Sequence, residues 1–109
     1  MRSMTVDKDG DSLAVVFLDR NISDEVRIME IGDDLTEMAC KIPAGKALTI
    51  SFQNVEYLST AMIGQLVRLR NRIEQCGVEM TLRHVSPTIQ AILQAMHLDK
   101  VFRVENPQG

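Results

Sequence analysis

The chain has 109 residues, 45% hydrophobic and 25% charged, with a net charge of −3. That is the length of one domain, read as residues 1–109 with a core over about 4–104, and the composition of an ordinary globular protein. The longest apolar run, residues 13–18, is strand-sized and far short of the roughly 20 residues that cross a membrane, and the first residues hold no apolar signal core, so no membrane contact and a cytoplasmic location are expected. One Tyr, three Phe and no Trp on an acidic chain argue against a nucleic-acid partner.

Charge is divided unevenly. Residues 1–57 hold six Lys/Arg against eleven Asp/Glu, and residues 58–109 hold six against four. Such a polarised surface suits the orientation of a protein partner. Cys40 and Cys76 form no Cys-x-x-Cys pair and are expected to be small buried apolar residues. His84 and His97 fall in different predicted elements. No metal site, no cofactor and no enzyme activity are expected from this set.

Met4-Thr5-Val6 predicts a short strand, closed by Asp9-Gly10, a hairpin signal because glycine tolerates positive φ in a tight turn. Residues 13–18 follow as a strand apolar on both faces, which predicts a central strand of a covered sheet. Residues 19–22 read as a loop. A helix opens at Ser23-Asp24-Glu25, with Ser23 as cap, and buries Ile28, Ile31, Leu35 and Met38, ending near Pro43 and Gly45. Residues 46–52 alternate as a strand with Leu48, Ile50 and Phe52 on one face.

A second helix is predicted from Thr60 to Cys76, closed by Gly77, with Met62, Leu66, Leu69 and Ile73 as its core stripe. Ile63 and Val67 flank that stripe and read either as a widened buried face or as an exposed patch beside Thr60. Val78, Met80 and Leu82 alternate in a further strand. Ser86-Pro87 starts a third helix, Ser as cap and Pro where no N–H is needed, with Ile89, Ile92, Leu93 and Met96 buried. Residues 101–104 predict a short edge strand. The order implies an α/β fold: a small mixed, mostly parallel sheet of four to five strands, with α-helices packed against it and covering most of it.

The junction Tyr57-Leu58-Ser59-Thr60-Ala61-Met62-Ile63-Gly64 carries the most information. Two adjacent hydroxyls stand where the first helical N–H groups lack partners, so capping alone accounts for Ser59. A phosphate added at such a corner would be tolerated by the fold while changing the surface by about −1.5 to −2 charges.

This junction, Gly77, the Val85-Ser86-Pro87 step and the tail Met96-His97-Leu98-Asp99-Lys100-Val101-Phe102 together resemble a STAS domain, the fold of bacterial anti-sigma-factor antagonists and stressosome proteins. The resemblance implies an Asp-Ser-Ser/Thr-Gly motif followed by Leu-Gly, whose first Ser a partner kinase phosphorylates. Anchoring Ile63-Gly64 on Leu-Gly sets Ser59 at the Asp, Thr60 at the phosphoacceptor, Ala61 at the second hydroxyl and Met62 at the Gly. Ser59 is the second candidate acceptor. The Asp is lost, and Met62 brings a bulky side chain toward the implied partner surface.

The resemblance implies a regulatory module that docks on an anti-sigma factor or serine/threonine switch kinase, with a phosphatase resetting the switch. Its partner-binding set is Asn21, Ile22, Ser23, Ser59, Thr60, Met62, Ile63, Val67 and Ser86. The alternatives are a non-phosphorylated STAS scaffold that works by assembly, self-association included, and a small-ligand or nucleotide-binding STAS domain.

Overall fold

The computed structural model describes residues 4–105. A hairpin of β1 (Met4–Asp9) and β2 (Ser12–Phe17) opens the chain. Then come β3 (Asn21–Ile22), α1 (Glu25–Ala39), β4 (Ala47–Ser51), β5 (Tyr57–Leu58) and α2 (Thr60–Glu74). The chain finishes with β6 (Glu79–Arg83), α3 (Pro87–Ala95) and β7 (Arg103–Glu105). Five strands form one sheet in the order β1-β2-β4-β6-β7, antiparallel at β1–β2 and parallel elsewhere, while β3 and β5 pair in a separate two-stranded ladder.

The hairpin closes tightly because Asp9 faces Ser12 across Gly10-Asp11, with Gly10 at φ +62. Positive φ at the first turn position matches the right-handed twist of the paired strands. β1 and β7 are the sheet edges. β1 carries exposed Asp7, Lys8 and Asp9, and β7 is three residues long with Arg103 and Glu105 exposed.

From β2 onward the strand order advances in one direction, so each right-handed crossover lands on the same face of the sheet. Register and burial agree with this. Val15, Ile50 and Leu82 lie side by side across β2, β4 and β6, and all are buried. They join Phe17, Leu48 and Met80 and the buried stripes of all three helices in one core. The alternating residues Ala14, Val16, Ala47 and Thr49 point to the opposite face and are half-buried.

The predicted sheet with helices packed against it is therefore present, but the helices cover one face of it rather than both. Ala14 and Val16 made β2 look apolar on both sides. They are short side chains, flanked in register by Asp7, Thr49, Thr5 and Ser51, and need no helix above them.

Helix starts follow local capping chemistry. Asp24, not Ser23, caps α1, its Oδ1 accepting from Arg27 N at 3.0 Å. Ser59 caps α2 and Ser86 caps α3, with Pro87 in the first turn. At its far end α2 closes when Gly77, at φ +78, donates to the Glu74 carbonyl and Val78 to that of Ile73. α3 closes the same way, with His97 at φ +60 in the glycine-like position. Met38 and Ile92 are half-buried, and Met96 is exposed just past the end of α3.

Candidate functional site: the rim at the start of the second helix

β2, β4 and β6 are parallel, so the segments that leave their C-terminal ends emerge along one rim. Main-chain hydrogen bonds lock these segments together. Glu56 N and Tyr57 N both donate to the Arg20 carbonyl, at 2.8 and 3.2 Å, and Ser59 N donates to the Ile22 carbonyl at 2.9 Å. Between them Asn21 faces Tyr57 and Ile22 faces Leu58 in the β3–β5 ladder. Asn54 Nδ2 donates to the Phe17 carbonyl at 3.0 Å, and Phe52 N to that of Arg83 at 2.9 Å. The third segment is thus tied to the second. Beneath lie the buried Ile22, Phe52, Val55 and Leu58, with the Phe17 and Phe52 rings edge to face at 5.4 Å. The rim is a rigid platform rather than a set of loose loops.

On this platform Ser59 Oγ accepts from Met62 N at 3.4 Å and Ser86 Oγ from Ile89 N at 3.2 Å. Both serines are half-buried. Thr60, the first residue of α2, is exposed, as are Asn21 and Ser23. No acid stands in the first turn of α2, so no carboxylate of that turn compensates the positive end of its dipole. Arg27 Nε meets Asp19 Oδ2 at 2.7 Å behind the first segment. Among the described residues no cluster of three or more His, Cys, Asp or Glu is placed to hold a metal ion.

The structure thus brings Asn21, Ser23, Ser59 and Thr60 together directly, and α3, which Ser86 caps, packs beside β5. It moves three expected contact residues elsewhere. Ile22 is buried, and Met62 and Ile63 have no exposed surface at all. The ladder turns Ile22 inward beside Leu58, and the first turn of α2 drives Met62 and Ile63 into the core above Leu66. Val67 is half-buried against the same core, so the wide buried face is the correct reading of this helix.

Met62 consequently fills the interior and presents no bulk at the rim. What sequence reasoning missed is the ladder itself, which exposes Tyr57 next to Asn21 and sets Arg20 3.9 Å from Glu56. The one available signal was the alternation of polar Tyr57 with apolar Leu58. Cys40 and Cys76 are also corrected: both are exposed, at the opposite end of the helices, Cys40 as the C-cap of α1 and Cys76 just after the exposed Gln75 cap of α2, where the chain turns out of each helix.

Three helices over one face of a mostly parallel sheet, two of them serine-capped at its C-terminal rim, define the architecture. The STAS domain family matches residues 10–107, and the chain belongs to that family. Solved structures agree on the fold. An anti-sigma-factor antagonist (STAS) domain protein from Planctomyces limnophilus is 21% identical with a TM-score of 0.79, over 96% of this chain and 91% of that one. An anti-sigma factor antagonist from Mycobacterium paratuberculosis is 20% identical with a TM-score of 0.75, over 96% and 85%. The Bacillus cell fate determinant SpoIIAA in its phosphorylated form is 10% identical with a TM-score of 0.74, over 96% and 91%. No curated protein sequence matches the chain significantly.

Proposed function

We propose that this chain is a regulatory binding module that docks through the rim on an anti-sigma factor or serine/threonine switch kinase, and that Thr60 is its phosphoacceptor. The observation that supports this reading is the exposed Thr60 hydroxyl at the start of α2, beside Asn21 and Ser23 and clear of the hydroxyls engaged in capping. The dipole of α2 accommodates the added charge within the fold, while a partner docked on the rim meets like-charge repulsion and loses solvation. The unmodified form binds and frees a sigma factor in a bacterial cytoplasm; the phosphorylated form lets go, and a phosphatase restores it.

Ser59 in place of the family's Asp keeps the cap, because both residue types accept from the third N–H, but removes a negative charge beside the acceptor. That loss favours a second reading, a non-phosphorylated scaffold that acts by assembly. Incubation with ATP and a candidate serine/threonine switch kinase, followed by mass spectrometry, separates the two. Phosphate on Thr60 and a roughly hundredfold weaker complex for Thr60→Asp, about 3 kcal/mol, are expected. An unmodified rim whose binding ignores Thr60→Asp leaves the scaffold reading.

A further inference from the structure

α1 and α2 return over the same sheet face from parallel strands, so they run side by side in the same direction. Gly32 and Gln65 face each other across the seam: a Cβ at Gly32 would lie 2.6 Å from Gln65 Oε1. The groove between them, about 960 Å³, is flanked by Asp33 and Glu37 on α1 and by Arg68 and Arg72 on α2. All four are exposed, and among the described residues no ion pair crosses the groove. Toward the helix starts the same surface changes character. Val26 and Met29 stand 67% and 63% exposed on α1, while α2 offers exposed Ala61 and Gly64, with nothing within 4 Å of where a Gly64 Cβ would be.

We propose that this α1/α2 face binds a second copy of the chain about a two-fold axis parallel to the helices. Such an axis lays α1 of each copy over α2 of the other. Counting from Gly32 and Gln65 at about 1.5 Å per residue, four pairs fall at one constant offset of roughly 3 Å. Glu37 meets Arg72, Asp33 meets Arg68, Met29 meets Gly64 and Val26 meets Ala61. Every acid faces a base, and each protruding apolar side chain faces a residue with little or no side chain. An axis across the helices would instead stack α1 on α1 and set acid against acid, which electrostatics disfavours. The charged pairs of this contact lie roughly two to three helical turns from Thr60, although its Val26–Ala61 end adjoins the rim, so charge swaps at the groove can abolish it while Thr60 is still modified.

Sedimentation velocity on the full chain tests it with a charge swap. The wild type is expected to dimerise at about 100 μM in about 0.05 M salt and to dissociate in about 0.5 M salt. Asp33→Lys with Glu37→Lys, and separately Arg68→Glu with Arg72→Glu, are each expected to weaken dimerisation at least tenfold at unchanged melting temperature. An equimolar mixture of the two variants should recover a heterodimer. A wild type that stays monomeric, or a mixture that does, overturns the proposal. Loss of dimer only in a Tyr57→Ala variant overturns it too, because that locates association at the rim.

Discussion

Two helices begin on the same rim with a serine cap, and their differences separate structure from chemistry. Ser59 and Ser86 are both half-buried, and each accepts from an N–H three residues on. The first helical residue then diverges: Pro87, which has no N–H and no polar side chain, against Thr60, which adds an exposed hydroxyl. Thus α3 starts with a purely structural device, whereas α2 repeats that device and sets a modifiable group beside it. A serine at a helix start is therefore a weak mark of function by itself. The informative residue is the neighbour that the cap leaves free for solvent.

Substitutions can break this comparison at three depths. The largest effect is expected below the surface. Ile63→Ala and Ile89→Ala each remove a fully buried anchor just after a cap and should cost about 2–5 kcal/mol, read as a Tm drop of roughly 10 °C or more. Similar losses would make the two helix starts equivalent as anchors. A markedly smaller loss at Ile63 would detach the α2 start from the core.

Next come the caps. Ser59→Ala and Ser86→Ala should each cost about 1 kcal/mol, seen as a lower urea midpoint at constant slope. If Ser59→Ala were neutral, that hydroxyl would be available for other work and the acceptor assignment would shift toward it. The smallest effect belongs to Thr60. Thr60→Ala should change stability by less than about 0.5 kcal/mol, and Thr60→Asp should add about 0.3–1 kcal/mol at low salt through the helix dipole. A destabilising Thr60→Asp would mean that the fold resists charge there, contrary to a switch.

The three helices and the main sheet were readable because they rest on repeating patterns. The stripe from Met62 through Ile73, the alternation of Leu48 and Ile50, and Ser86-Pro87 each state their element several times over. Features that depend on one or two residues were not readable. The β3–β5 ladder pairs only Asn21-Ile22 with Tyr57-Leu58, too short for any periodicity, yet it assembles the rim. Asp24 and Ser23 are equally good caps by composition, and only the path of the chain selects Asp24. The fate of Met62 and Ile63 depended on the width of a buried face, which the sheet beneath sets rather than the helix. The candidate site could be located at a helix start, but which of its residues reach solvent was a tertiary fact.

The sheet edges have a consequence for handling this protein. An open edge strand is a template for adding another chain, the route to fibres and amorphous precipitate. Here one edge alternates acid and base over Asp7, Lys8 and Asp9, and the other, over its described residues, brackets Val104 with exposed Arg103 and Glu105. A foreign strand would have to desolvate those charges for only a few new hydrogen bonds. Crowded solutions of this chain should therefore resist β-type aggregation even while its helices remain open to reversible contacts.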